Sequence, residues 1–258
     1  GKESNLQRML AAIHLAAEAD VRVLACPEMC LPGYFTPLAG TVEEARAANR
    51  QLADEVGSSP YLARLQQVAG QAQVVLAFGF AERVGDLIYN AIGVIDADGS
   101  WLGTRRKNPL YPWPYETESF VEPDASLRSA VFGTQYATVG ISDCFDGEFP
   151  ESVRRMRLDG AELLLWCNAA CGDSVLGTSH RIAHASGHAL ANHMWVVCCN
   201  CAAPNSSGTS LIVGPSGEPL VILPPGEEAL GVATINLAMS AEWSTWRDRL
   251  GPEWADYR

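Results

Sequence analysis

Three ionisable residues of different chemistry each follow shortly after an apolar run that is typical of a strand: Glu28, Lys107 and Cys144. In α/β sheets, functional sites gather at the carboxyl ends of strands, so these side chains could meet there. A thiol becomes nucleophilic when a base or a cation acts on it, and a buried glutamate can be that base. An ammonium can hold the thiolate and then the oxyanion of a tetrahedral intermediate. The three residue types therefore fit nucleophilic catalysis.

Cys144 differs from the other cysteines in its surroundings. The chain has eight cysteines, and most of them end apolar strands, where they are typical small buried hydrophobes. Cys144 instead lies among polar and turn residues in "SDCFDGEFPE" (142–151). An even number of cysteines could form disulfides, although a chain of this length without a secretory leader favours reduced thiols. From the residues alone, Cys144 could be a buried thiol, half of a disulfide, a metal ligand or a nucleophile.

Lysine is rare in this chain. Lys2 and Lys107 are the only lysines among 18 basic residues. An ammonium is compact and differs from the planar guanidinium in shape and chemistry, so Lys107 could stand where an arginine would not serve. Chance is the alternative explanation.

Composition limits the classes of function. The 258 residues are 48% hydrophobic and carry a formal net charge of −12, which argues against a large nucleic-acid interface. No apolar run reaches the roughly 20 residues of a membrane-spanning helix, and no basic leader precedes an apolar stretch. We expect a soluble, cytoplasmic protein that binds neither nucleic acid nor membranes.

Hydrophobic periodicity predicts one α/β domain over residues 1–258, with parallel and antiparallel strand pairing. Residues 108–130 are interpreted as a long loop rich in proline and aromatic residues. The predicted helices span residues 3–19, 42–56, 61–72, 149–160 and 177–193, and the predicted strands span 21–25, 74–82, 88–96, 101–106, 137–142, 162–167, 194–200, 210–213, 219–223 and 231–237.

Three blocks of the sequence resemble the catalytic blocks of the nitrilase, or carbon–nitrogen hydrolase, superfamily, and they occur in that family's order. They are "LACPEMCLPGY" (24–34), "TRRKNPLY" (104–111) and "VGISDCFDGEFPE" (139–151). The resemblance extends over nearly the whole chain through the supporting segments "DGAELLLWCNAA" (159–170), "HALANHMWVVCCN" (188–200), "GTSLIVGPSGEPL" (208–220) and "GVATINL" (231–237).

The resemblance implies a fold and a set of roles. The fold would be a four-layer α-β-β-α sandwich of two mixed sheets flanked by helices. Glu28 would be the general base, Lys107 the cation that stabilises the oxyanion, and Cys144 the nucleophile. A second glutamate of the family matches Glu116 best, with Glu118 as its competitor.

The implied reaction is attack of the thiol on an amide or nitrile carbon, loss of ammonia and hydrolysis of an acyl-thioester. Nitrile-active members tend to have Trp-Glu after the cysteine, whereas this chain has Phe145-Asp146-Gly147, which is closer to the amide-cleaving branches. The sequence thus favours a small amide or carbamoyl substrate over a nitrile. Residues expected to line the substrate pocket are Tyr34, Trp113, Phe145 and Asn168, together with Tyr111.

The sequence also permits other hypotheses about function. A glutaminase-like partner or a non-catalytic binding subunit would share the same fold. No cofactor and no metal are expected, and a homodimer or higher homo-oligomer is expected because family members usually pair through helices near the active site. His180, His184 and His188 recur every four residues on one helix face, which makes a zinc hydrolase a remote alternative.

The sequence departs from the family pattern in three places. The family domain normally opens with a strand, which is apparently absent upstream of residue 1. The helix before "WVVCCN" usually carries Arg-Ala-x-Glu-Asn, whereas this chain has His188 and Ala191 at the first and fourth of those positions. Arg105 and Arg106 precede Lys107, where the family has a different pair.

Overall fold

The computed structural model describes residues 1–34, 40–124, 130–170, 177–202 and 208–241. Within them, the predicted helices are present with small shifts of their ends, and two short helices join them. The helices are α1 (Lys2–Glu18), α2 (Val42–Leu52), α3 (Pro60–Ala72), α4 (Pro114–Thr117), α5 (Pro150–Leu158), α6 (Thr178–Asn192) and α7 (Ala238–Ala241).

The strands form two sheets. The strands are β1 (Val23–Ala25), β2 (Val75–Val84), β3 (Leu87–Ile95), β4 (Trp101–Arg106), β5 (Val131–Gly133), β6 (Thr138–Asp143), β7 (Leu163–Asn168), β8 (Trp195–Asn200), β9 (Leu211–Val213) and β10 (Pro219–Ile222). The first sheet has the order β1-β2-β3-β4, and the second has the order β10-β9-β8-β7-β6-β5. Both sheets are mixed. In the first sheet β1 and β2 are parallel, and in the second sheet β7 is parallel to both β6 and β8. The other strand pairs are antiparallel.

The two sheets and their helices stack in four layers. Helices α1 and α3 cover one face of the first sheet, where Ile13, Leu65 and Phe78 belong to one apolar cluster. The opposite face packs on the second sheet through a cluster that contains Ile92 and Leu165. Helices α5 and α6 cover the outer face of the second sheet in a third cluster. Strand side chains alternate between faces, which lets each strand serve two of these cores. The predicted α-β-β-α sandwich is confirmed.

Sequence signals at the helix ends explain where some of these elements begin. Helix α3 starts at Pro60, and the Ser59 hydroxyl accepts hydrogen bonds from the Tyr61 and Leu62 amides. Thr41 and Glu44 form a reciprocal capping box at the start of α2.

Two segments differ from the sequence-based expectation. Residues 231–237, predicted to be a strand, form no strand in the described part of the chain, although Ile235 and Leu237 pack against the core between the sheets. The exposure of these side chains alternates along the segment, as it does in a strand. The alternating apolar residues in the sequence therefore reflect packing against the core and not pairing with a neighbouring strand. Strand β5 lies just after the predicted loop, and the four-residue helix α4 lies inside that loop.

Over the described ranges, none of the helices combines the length and the apolar character that crossing a bilayer would require.

Candidate active site

Glu28 lies in a tight turn after β1. Met29, the next residue, has a φ of 51°, in the left-handed region. The turn packs directly on Gly79 of β2, where an added Cβ would lie 2.0 Å from the Met29 nitrogen. A glycine is therefore needed at position 79 for the backbone that carries Glu28 to approach the sheet so closely.

Lys107 lies between two carboxylates. Its Nζ is 2.7 Å from Glu28 Oε1 and 2.6 Å from Glu116 Oε1. All three side chains are at most 2% exposed. The Lys107 backbone amide donates to the Asn90 carbonyl and so extends the pairing of β4 with β3. The structure thus brings three of the predicted site residues into contact in the interior, where the uncompensated burial of any one charge would be costly.

Further hydrogen bonds fix both carboxylates. The Asn90 side chain donates to Glu28 Oε1 at 2.7 Å and to Glu116 Oε1 at 3.4 Å. The Tyr34 hydroxyl donates to Glu116 Oε2 at 2.9 Å, and the Ala169 amide donates to Glu28 Oε2 at 2.9 Å. Each carboxylate oxygen therefore has at least one donor, and the two acids are held in fixed orientations.

Glu116 rather than Glu118 joins this cluster. Glu116 is in the short helix α4 and is buried, whereas Glu118 is exposed to solvent. Burial raises the pKa of Glu116, although the Lys107 charge opposes that shift. The burial of Glu116 separates the two candidates, which the sequence could not do.

Cys144 begins a 3-10 turn, Cys144–Glu148, immediately after β6. Its φ is 47°, an uncommon conformation for a residue with a side chain. The Trp166 indole donates to the Cys144 carbonyl at 2.8 Å. The thiol is free, as are those of the other six cysteines that the structure describes. The disulfide reading of Cys144 is therefore not supported.

A buried ion pair stabilises the turn that contains Cys144. Arg105 of β4 is 2.8 Å from Asp146 Oδ2, and both side chains are almost fully buried. The Asp143 amide donates to Asp146 Oδ1 at 2.7 Å, and the Ser142 hydroxyl donates to the same oxygen. One of the two arginines that depart from the family pattern thus links the strand before Lys107 to the turn of Cys144.

The electrostatic environment connects Cys144 to the carboxylate cluster. Burial and the negative charge of Glu28 raise the pKa of the Cys144 thiol well above its usual range. The Lys107 ammonium, the Ala169 amide and Arg181 act in the opposite direction. Burial opposes the charge on Lys107, yet the neighbouring Glu28 raises the pKa of Lys107 well above its ordinary value. These shifts favour the neutral form of the thiol and the charged form of Lys107.

Asp143 is an acid that the sequence analysis missed. It precedes Cys144 and is fully buried. Burial and the nearby Glu28 raise the pKa of Asp143 well above its usual range. Asn90 was also missed, although an amide within the apolar strand "IYNAIG" is a signal that could have pointed to it.

The predicted pocket residues divide into two groups. Tyr34 reaches the carboxylate cluster through Glu116. Phe145 lies beside Cys144 and makes an edge contact with Tyr111, with ring centroids 5.1 Å apart. Trp113 precedes α4 and packs on Tyr115, with ring centroids 5.0 Å apart. These aromatic side chains are partly exposed and are suited to bound an apolar part of a ligand.

Asn168 belongs to the second group, because its side chain is engaged elsewhere. It donates to the Trp166 carbonyl at 2.8 Å, and its Oδ1 accepts from Arg181 at 3.1 Å. Trp166 lies in the core between the second sheet and its helices. The structure therefore places the Asn168 amide toward the helix layer and not with the carboxylate cluster.

The three histidines of α6 lie in a row but have different hydrogen-bond partners. His180 Nε2 and His184 Nδ1 both approach Glu148 Oε2, at 3.2 and 3.0 Å. His188 instead makes a 2.8 Å hydrogen bond with the Gly147 carbonyl. Burial lowers the pKa of both His184 and His188. Of the three histidines in the predicted zinc alternative, His180 and His184 share a carboxylate oxygen, and His188 is engaged by the backbone instead.

Comparison with known proteins agrees with this architecture. The profile of the family described as "Carbon-nitrogen hydrolase" matches residues 1–245. N-carbamoylputrescine amidase from Solanum tuberosum is 33% identical over 210 residues, covering 74% of this chain and 70% of the relative. Citrullinase from Francisella tularensis is 29% identical and covers 95% of this chain and 89% of the relative.

A solved structure shows the same fold. Saccharomyces cerevisiae Nit3, a member of branch 10 of the nitrilase superfamily, superposes with a TM-score of 0.74 at 23% identity. The superposition covers 88% of this chain and 82% of that chain. Two mixed sheets between helix layers therefore define a nitrilase-type sandwich.

The chain belongs to the carbon–nitrogen hydrolase family. It is an enzyme of that hydrolase type, whose relatives are amidases and nitrilases.

Proposed function

We propose that the protein hydrolyses the terminal amide or carbamoyl group of a small molecule through a cysteine acyl-thioester. Glu28 is the general base, Lys107 the cation that stabilises the oxyanion, and Cys144 the nucleophile. The observation that carries this proposal is the buried contact of the Lys107 ammonium with two carboxylates, at 2.7 and 2.6 Å, beside a thiol whose pKa these charges influence.

In the first half of the reaction, Glu28 takes the thiol proton as sulfur attacks the carbonyl carbon. A base is needed because the pKa of the Cys144 thiol is raised. The negative charge that develops on the carbonyl oxygen is stabilised by Lys107 and by the backbone amide of Phe145, the residue after the nucleophile. Glu28 then protonates the departing nitrogen, which leaves as ammonia.

In the second half, Glu28 removes a proton from water, which attacks the thioester. The products are the free thiol and a carboxylate, or a carbamate when the substrate carries a carbamoyl group. Glu116 is not required as a base in this scheme. It holds Lys107 in place and is itself oriented by the Tyr34 hydroxyl.

The residue types after Cys144, Phe145-Asp146 in place of the Trp-Glu of nitrile-active members, support an amide rather than a nitrile as substrate. Asp146 is buried against Arg105 and the Ser142 hydroxyl, so it stabilises the turn and does not face a ligand. Phe145 and Tyr111 supply an aromatic surface beside the thiol. Two relatives are named for carbamoylputrescine and citrulline, which makes carbamoyl compounds the first to try.

The proposal is tested by ammonia release from a panel of compounds. The panel contains carbamoylputrescine, citrulline, glutamine, short aliphatic amides and the matching nitriles. We expect turnover of at least one amide or carbamoyl compound and none by Cys144→Ala. Turnover of nitriles alone would show a nitrilase. Equal turnover by Cys144→Ala, or none by either protein, would contradict the proposal.

A further inference from the structure

A second cluster of chemically active side chains lies outside the proposed catalytic residues. Glu148 ends the 3-10 turn that begins at Cys144, and His180 and His184 lie one turn apart on α6. One ligand atom from each of these residues lies within 4.8 Å of the other two. Because the three side chains are 19–32% exposed, ions can reach them from solvent.

The spacing of these atoms matches a metal coordination sphere. Zinc binds imidazole nitrogen and carboxylate oxygen at about 2.0–2.2 Å, so ligand atoms of a tetrahedral site lie about 3.3 Å apart. Glu148 Oε2 is 3.2 Å from His180 Nε2 and 3.0 Å from His184 Nδ1. Two edges of the polyhedron therefore already have nearly the required length.

We propose that Glu148, His180 and His184 bind one divalent transition-metal ion of the Zn²⁺ class. Two histidines at i and i+4 on a helix with one carboxylate are a ligand set that such ions favour. His188 is excluded from the set because its ring nitrogen is bonded to the Gly147 carbonyl.

Arg181 orients the carboxylate of this site. Its guanidinium donates to Glu148 Oε1 at 3.0 Å and to Asn168 Oδ1 at 3.1 Å, and it is almost fully buried. Ligating carboxylates are commonly held by such outer hydrogen bonds. Since Arg181 engages Oε1, the other oxygen stays directed at the two imidazoles. The positive charge of Arg181 favours an anion or a hydroxide as a further ligand.

Space for that further ligand is available. A cavity of about 500 Å³ lies against α5 and α6, and Glu148 and His184 are among the residues that line it. Glu28, Lys107 and Cys144 do not line this cavity. The metal site is therefore separate from the proposed catalytic cluster, although it joins α6 to the turn that carries Cys144.

The test measures metal binding in the full chain carrying Cys144→Ala, which removes the thiol of the proposed catalytic site as a competing ligand. After treatment with a chelator, the protein is titrated with Zn²⁺ by calorimetry and with Co²⁺ by visible absorption, since Zn²⁺ itself has a filled d shell. We expect one equivalent of metal, Co²⁺ bands of nitrogen and oxygen ligands, and a Tm that rises by several degrees with Zn²⁺.

Further substitutions in the Cys144→Ala protein, which is the parent here, identify the ligands. His180→Ala with His184→Ala, and Glu148→Gln alone, are each expected to weaken binding by at least about tenfold and to abolish the Tm shift. His14→Ala, which changes an exposed histidine of α1, should bind as the parent does. If the double variant does not fold, His184→Ala alone is expected to show the same loss.

No stoichiometric binding to the parent would overturn the proposal. So would binding that is unchanged in the histidine and Glu148 variants, or Co²⁺ spectra dominated by thiolate charge transfer. These readouts do not depend on amide hydrolysis, so they are independent of the proposed function.

Discussion

At the scale of single residues, the site is defined by a thiol that is neutral at rest. Burial and Glu28 raise the pKa of Cys144, and Lys107 does not offset them. This differs from a resting thiolate–cation pair, in which the sulfur would already be charged at neutral pH. The thiol is therefore deprotonated only as it attacks the substrate.

Alkylation of Cys144 should reveal this protonation state. Because the pKa is raised, the thiolate fraction keeps increasing with pH beyond about 9.5, where a thiol with the ordinary pKa of about 8.5 approaches its plateau. We expect the rate of Cys144 modification by iodoacetamide, followed by peptide mass mapping, to rise from about pH 6 to about pH 10.5 without levelling. A plateau near neutral pH would show a thiolate at rest and contradict the assignment of Glu28 as base.

Lys107 should not tolerate arginine. Its ammonium fits between two carboxylates at 2.7 and 2.6 Å, and the wider guanidinium cannot occupy that space without displacing one of them. We expect Lys107→Arg to lower kcat by at least about 100-fold, the scale of losing an oxyanion donor. Lys2→Arg is the matched control, since Lys2 pairs with Asp54 away from the cluster. Near-normal kcat in Lys107→Arg would refute the steric argument.

At the scale of elements, the site depends on strand β2 as much as on the turns that carry its side chains. An alanine at position 79 would collide with the backbone of Glu28 and Met29. We expect Gly79→Ala to lower kcat by at least about tenfold with secondary structure retained by circular dichroism, because small displacements of a catalytic group are costly.

Gly133→Ala in β5 is the control for this substitution, since nothing lies within 4 Å of its added Cβ. If Gly79→Ala were as active as Gly133→Ala, the close approach of β2 to the Glu28 turn would not position the base.

The sequence predicts most elements for physical reasons, and it singled out Glu28 and Lys107, which the structure brings into contact. Apolar periodicity and the residues at helix ends are local signals, and they placed the long helices and strands within a few residues. The strand predicted at residues 231–237 is absent from the described part of the chain. Alternating exposure predicts which side chains face the core, but it does not supply the neighbouring strand that pairing requires. Strand β5 is too short for an alternation of apolar and polar residues to be recognised in the sequence.

Contacts between distant segments explain what the sequence missed in the site. Asn90 meets Glu28 across 62 residues, and Arg105 meets Asp146 across 41. Neither pairing leaves a trace in local periodicity. Asn168 was placed in the pocket by its position after β7, yet its side chain turns to the helix layer, as the alternation of strand residues requires.

At the scale of the whole molecule, the outer face of α5 and α6 is suited to contact a second copy. Leu190 on α6 is a large apolar side chain that is 56% exposed. We expect light scattering to give a mass of at least twice the 27.7 kDa of one chain. Leu190→Glu should shift the protein toward smaller species, because it places a charge on that apolar contact.

A mass equal to one chain for the unaltered protein would contradict this expectation. Unchanged mass in Leu190→Glu would place the contact elsewhere, and Leu15→Glu on the outer side of α1 is the control for the added charge.

The most direct test of the account is the mass of the protein during turnover of its best amide or carbamoyl substrate. Rapid acid quenching of the unaltered enzyme during turnover should trap the acyl or carbamoyl group on the enzyme, because the thioester is hydrolysed in a separate step after ammonia has left. We predict one adduct per chain, mapped to Cys144 by peptide mass analysis and absent from Cys144→Ala. An adduct on another residue, or turnover with no covalent intermediate under rapid quenching, would contradict the account.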